Sequence, residues 1–157
     1  MDYLSHCSSP LGPITLASDG EALTGLWFDG QKHFGATLSP QRMELDLPVL
    51  QEARRWLDLY FGGRDPGPVP PLAPLGSAYR QKVWKSLLEI PYGCTVTYAR
   101  LAGLIPTSPR AVAGAVAHNP ISLMIPCHRV VGSGGALTGY AGGLEKKRYL
   151  LRLEGAL

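Results

Sequence analysis

The segment Phe61-Gly62-Gly63-Arg64-Asp65-Pro66-Gly67-Pro68-Val69-Pro70-Pro71 cuts this 157-residue chain into two parts. Glycine loosens the backbone and proline removes a hydrogen-bond donor, so neither a helix nor a central strand runs through it, and it reads as a linker. The folding problem divides there. Residues 1–62 and 76–157 are expected to form separate domains joined by residues 63–75. A chain of this length buries roughly two thirds of its unfolded surface, which is enough to fold without disulfide staples.

Ahead of the linker, residues 11–18 and 22–28 resemble two strands turning through Asp19-Gly20, a favourable turn pair. Val49, Leu50, Ala53, Trp56, Leu57 and Tyr60 recur at helical spacing. The first part therefore reads as a small α/β domain. Beyond the linker, Ser77 is placed to cap a helix from about Ala78 to Ile90, with Val83, Trp84, Leu87 and Leu88 facing inward. Pro91-Tyr92-Gly93 ends it. Thr97 caps a short helix over Tyr98 to Leu104, and Ser108-Pro109 opens another over Arg110 to Ala117. Two short helices across a tight turn predict a helix-turn-helix in a mainly helical second domain. The second helix carries Ala111, Ala113, Gly114, Ala115 and Ala117, small residues that permit close approach to another helix or to a nucleic-acid groove.

Charge follows the same division. Residues 1–75 hold five basic against nine acidic side chains, a net −4, and residues 76–157 hold ten against three, a net +7. A basic half favours a polyanionic partner through phosphate neutralisation; an ordinary solvated face is the competing explanation. Cys7, Cys94 and Cys127 are odd in number and irregular in spacing, and no secretory segment is evident, so a reducing, cytoplasmic setting is expected. No apolar run approaches the roughly 18 residues of a membrane span. Cys7 with His6 and His33 is too sparse for zinc, and neither a CxxC repeat, a carboxylate cluster nor a phosphate-binding Gly motif with Lys occurs. No metal and no cofactor are expected, and nothing demands more than a monomer.

The stretch Pro126-Cys127-His128-Arg129-Val130 sets a thiol beside an imidazole after the apolar run 121–125. A lone Cys next to a lone His is often only packing. Here it is followed by the Gly-rich run Gly132 to Gly143 with Tyr140 inside it, which suits a nucleophile facing a pocket. Read as chemistry, the thiolate is a soft nucleophile, His128 a base near neutral pH, and a carboxylate such as Glu154 would fix its tautomer. Glu154 could equally be an exposed partner of Lys147 or Arg148.

Taken in order, Ile90-Pro91-Tyr92-Gly93, Tyr98, Arg110-Ala111-Val112, Asn119-Pro120, Ile125 to Val130, Gly139-Tyr140-Ala141-Gly142-Gly143 and Leu150 to Glu154 resemble the O6-alkylguanine-DNA alkyltransferases over residues 79–154. The resemblance implies a ribonuclease H-like α/β domain ahead of the linker, and a helix-turn-helix that binds alkylated double-stranded DNA. It implies flipping of the damaged nucleotide and irreversible transfer of its alkyl group to the protein's own cysteine, from guanine O6, with thymine O4 adducts left open as a second substrate. Cys127 would be the acceptor, His128 its base through a water, Glu154 the group that orients His128, and Asn119 a support for the active-site loop. Tyr98 would press on the target phosphate, Arg110 would fill the vacated stack, and Tyr140 would wall the base pocket. Ser133 and Arg129 complete the implied substrate- and DNA-binding set. Two departures stand out: the stretch between Tyr98 and Arg110 is slightly short for the family, and Ala141 replaces a frequent Ser. A cysteine hydrolase using Cys127, His128 and Glu154, and a DNA-binding regulator that leaves the lesion in place, are the competing functions.

Overall fold

The computed structural model describes residues 1–157, which divide into two compact units: Met1–Leu75 with Pro120–Ser122, and Gly76–Asn119 with Leu123–Leu157. In the first unit, strands β1 (Asp2–Cys7), β2 (Ile14–Ser18), β3 (Leu23–Phe28) and β4 (Arg42–Glu44) form a sheet of order β3-β2-β1-β4. The β1/β2 and β2/β3 pairs are antiparallel and β1/β4 is parallel. Both β2 and β3 are buried along their whole length. Helix α1 (Pro48–Phe61) packs on these two strands, burying the six apolar residues that the periodicity marked. At about 1.5–3 kcal/mol for each large side chain removed from water, that stripe holds the helix to the sheet. Pro48 occupies the first turn, where its missing N–H costs nothing.

Strands β1 and β4 escaped the sequence pattern. Neither alternates cleanly, and β4 is wholly exposed, formed only because β1 offers it an edge. The Pro/Gly segment carries no regular element but does not hang loose. The Trp56 indole donates to Gly67 O at 3.2 Å, and Leu23 exchanges backbone hydrogen bonds of 2.8 Å with Pro71 and Ala73. The far edge of β3 takes up Pro120–Ser122, where Leu26 N donates to Pro120 O and Ser122 N to Leu26 O, both at 2.9 Å.

The second unit contains α2 (Ala78–Leu87), β5 (Val96–Thr97), α3 (Tyr98–Leu104), α4 (Pro109–Ala117), β6 (Val130–Val131) and α5 (Leu144–Leu153). Ser77, Thr97 and Ser108 each accept a hydrogen bond from the third residue after them, at 3.2, 3.1 and 3.1 Å, so all three predicted caps are made. Helix α2 stops at Leu87, short of the expected Ile90. Pro91 biases the residue before it away from helical geometry, and the chain winds down through i to i−3 bonds from Glu89 and Ile90. Helices α3 and α4 form the helix-turn-helix. The Trp84 indole of α2 donates to Ala115 O of α4 at 2.9 Å, an approach that the small residues of α4 permit. Strands β5 and β6 pair in parallel, Val96 with Val130 and Thr97 with Val131. That pairing sets the start of the helix-turn-helix beside the strand that leaves Cys127. No helix is long and apolar enough to cross a membrane.

Candidate active site

Cys127 opens a single 3₁₀ turn, Cys127–Arg129, placed by its own amide on Ile125 O at 2.7 Å and by Arg129 N on Pro126 O at 3.0 Å. The buried Asn119 side chain donates to the same Ile125 carbonyl at 2.7 Å and also hydrogen-bonds the Cys127 sulfur. Leu123, four residues before the cysteine, sits at φ 72°, a left-handed conformation that costs a bulky residue energy and is held here by complete burial. Cys127 itself is 4% exposed. Burial pushes its thiol up, while the Asn119 bond, the Lys147 charge and the amides of Cys127 and His128 pull it back only in part.

His128 is fully buried and places Nε2 at 2.6 Å from Glu154 Oε2. Glu154 caps the C-terminal end of α5 and is the hub of the site. Besides His128 it receives Arg129 Nε on Oε1 at 2.8 Å, Arg129 Nη2 on Oε2 at 3.1 Å and the Gly93 amide on Oε1 at 3.0 Å. Burial alone would raise this carboxyl, but the bonds from His128 and Arg129 outweigh it and hold it down at about 2. Burial keeps His128 below its ordinary range despite the carboxylate, so at neutral pH the pair is a neutral imidazole on an ionised glutamate. With Nε2 held by Glu154, Nδ1 is the ring nitrogen that accepts a proton, the arrangement of a general base fixed in tautomer and orientation.

Tyr98, half-buried at the first turn of α3, donates its hydroxyl towards Thr138 O and Gly139 O at 3.3 and 3.5 Å. Burial, then the Cys127 charge, push it up to about 12, so it remains a donor. Tyr140 lies in the same loop. Its hydroxyl is sealed from solvent and meets no hydrogen-bond partner, and burial pushes its proton affinity well above the ordinary value. Ser133 lies exposed in a 3₁₀ turn over Ser133–Gly135, and Arg110 is exposed on the first turn of α4. Cys127, His128, Glu154 and Asn119 thus form one cluster, with Tyr140 on the adjoining loop and Tyr98 on α3 donating to that loop.

Arg129 stands elsewhere than its expected place on a DNA or substrate surface. It is 8% exposed, its fork is engaged by Glu154, Nη1 donates to Ile90 O at 2.8 Å, and its guanidinium lies 5.8 Å from the centre of the Tyr92 ring. Lys147, to which the sequence assigns no role in the site, is fully buried here. A signal was present: Lys147, Leu150, Leu151 and Glu154 recur at helical spacing on one face of α5, and a lysine in register with two buried leucines belongs to the inside.

Both halves of the chain match known domains. The model of the 6-O-methylguanine DNA methyltransferase DNA-binding domain matches residues 78–156, and that of the ribonuclease-like domain of the same proteins matches residues 3–67. The methylated-DNA–protein-cysteine methyltransferase of Haemophilus influenzae is 43% identical over 155 residues, covering 97% of this chain and 86% of that protein. The chain belongs to the methylated-DNA–protein-cysteine methyltransferase family. A second methylated-DNA–protein-cysteine methyltransferase, from Methanosarcina acetivorans, is 43% identical and covered over 99% of its length. The crystal structure of Mycobacterium tuberculosis OGT in complex with DNA shares the fold at a TM-score of 0.88 and 40% identity, over 98% of this chain and 93% of that one. Membership in this methyltransferase family fixes the reaction class. An alkyl group passes from O6-alkylguanine in DNA to a cysteine of the protein itself, and each molecule acts once. The ribonuclease-like first domain and the helix-turn-helix second domain are those of the family.

Proposed function

We propose that Cys127 is the acceptor and that the cluster around it performs the transfer on a nucleotide rotated out of duplex DNA. The observation that carries this is the chain of buried contacts from Arg129 and Gly93 through Glu154 to His128, next in sequence to the thiol. At rest the sulfur keeps its proton, since burial disfavours the thiolate. When the lesion arrives, the thiol proton passes through a water to His128 Nδ1, the S–C bond forms, and the C–O bond to guanine breaks. Guanine leaves with negative charge developing on its ring, which a donor must quench. Tyr140 supplies that donor: a buried hydroxyl without a partner costs about 1–3 kcal/mol, a cost an incoming base removes. The thiol proton ends on His128, and the guanine anion takes up one proton as His128 releases one to solvent. The product is a thioether, and no group in the site cleaves it.

Asn119 holds the loop and sulfur in register. Arg110 enters the stack in place of the rotated base, and Tyr98 presses on its phosphate. Thymine O4 adducts fit the same displacement. The protein acts as a monomer in the cytoplasm. Lesion counting tests the reading: with O6-methylguanine duplex in excess, lesions removed should plateau at one per protein molecule and fall to none for Cys127→Ser. Continued turnover would favour a hydrolase, and unchanged lesions a binding protein. The same count on O4-methylthymine duplex tests the second substrate.

A further inference from the structure

The turn of the helix-turn-helix is fastened by a contact that plays no part in the chemistry at Cys127. Helix α3 ends at Leu104, Ile105 N still donates back to Leu101 O at 3.1 Å, and α4 opens at Pro109. Pro106, inside the turn, has no N–H with which to tie it down. Beneath the turn an open groove of about 530 Å³ runs between Tyr79, Lys82 and Lys85 of α2 and Leu104, Ile105 and Pro106. Leu104 on its lip is 66% exposed, so apolar packing does little to hold the turn on α2. The cross-link that spans the groove is polar: the Tyr79 hydroxyl donates to Thr107 Oγ1 at 3.3 Å, both residues being half-buried. Trp84 of the same helix donates to Ala115 O at 2.9 Å. Two ring donors from α2 therefore bracket α4, one near its C-terminal end and one just ahead of its start.

Thr107 precedes Ser108, whose side chain accepts Ala111 N and whose carbonyl accepts Val112 N, both at 3.1 Å. Arg110 projects from that same first turn and is exposed. Its charge stands at the positive end of the helix dipole, so the field of α4 does not hold it in place. We infer that Tyr79 is a positioning residue for lesion handling in duplex DNA: its hydroxyl, through Thr107 and the Ser108 cap, fixes the turn from which Arg110 reaches the base stack. The inference rests on the reading of Arg110 as the side chain that replaces the rotated base. Phenylalanine at position 79 keeps the ring over the groove and loses the cross-link alone, which is the net worth of one hydrogen bond. A residue that acts through Arg110 also cannot matter more than Arg110 itself.

Single-turnover transfer from O6-methylguanine in a duplex and in a single strand, over a range of protein concentrations, separates the limiting rate from DNA affinity. Tyr79→Phe and Thr107→Val should each lower the limiting rate on duplex roughly threefold to tenfold, with duplex affinity within about twofold of the parent and the single-strand rate unchanged. Thr107→Ser, which keeps the hydroxyl, should match the parent. In an Arg110→Ala background, Tyr79→Phe should cost nothing further, because the two side chains act on one step. Tyr79→Phe at the parent's duplex rate overturns the inference, as does equal slowing on both substrates, which marks a general loss of structure. Full additivity with Arg110→Ala overturns it too, since Tyr79 then acts by another route. Arg110→Ala at the parent's duplex rate would overturn the stacking reading itself, and this inference with it, so that one variant tells the two failures apart.

Discussion

Glu154 governs the site because one carboxylate has to satisfy an imidazole, a guanidinium fork and a backbone amide at once. A carboxyl held at about 2 against an ordinary 4.5 contributes about 3 kcal/mol of stability, present in full above pH 4.5 and lost as the pH falls towards 2. His128, kept neutral by burial, adds to the loss from about pH 6.5 downward, because the unfolded chain takes up the proton that the folded one refuses. Thermal unfolding followed from pH 7 to 2 should fall steeply for the parent. Glu154→Gln should start lower, since the buried Arg129 loses its counter-charge, and run flatter below pH 4.5. Parallel curves would contradict this account of the hub. Gly93 completes it from the turn before β5, where φ is 80° and an added Cβ would come within 3.1 Å of Glu154 O. The Cys127-His128 pair was legible in the sequence because its residue types name their chemistry. Arg129 was not, because an arginine in a basic half looks like a phosphate contact until the fold shows the carboxylate it encloses. Lys147 was not legible either, because lysine is rarely buried and reads by default as an exposed charge.

At the scale of elements, what was readable is what is encoded locally. The apolar stripe of α1 and the three side-chain caps are properties of short segments, and the structure carries each of them. Strands β4, β5 and β6 are two or three residues long and exist only through a distant partner, so no local pattern announces them. Yet β5 and β6 bring the start of the helix-turn-helix beside the strand that leaves Cys127. Helix α4 presents Arg110, Ala111 and Gly114 on its exposed face, a smooth surface with one cation at its leading end. If Arg110 substitutes for a rotated base, Arg110→Ala should slow transfer from a lesion within a duplex by roughly tenfold, matching about 1.4 kcal/mol of an unstacking cost of a few kcal/mol. Transfer from the same lesion in a single strand should be nearly unaffected. Equal slowing on both substrates would assign Arg110 to general phosphate attraction.

For the whole molecule, the net −4 and +7 of the two halves separate an acidic ribonuclease-like domain from a basic domain that holds every residue of the candidate site. That segregation was visible in the sequence, as was the Pro/Gly segment. The return of Pro120–Ser122 to the edge of β3 was not, since it depends on a tertiary contact across most of the chain. If Cys127 is the acceptor, a thiol whose ionisation burial disfavours suits a protein that reacts once and must not spend its sulfur on chance electrophiles. The most direct measurement is the intact mass of the protein after incubation with an equimolar duplex carrying one O6-methylguanine, followed by a peptide map. One methyl group per molecule, on Cys127 and in step with loss of the lesion, is the predicted result; lesion loss with Cys127 unmodified would contradict it.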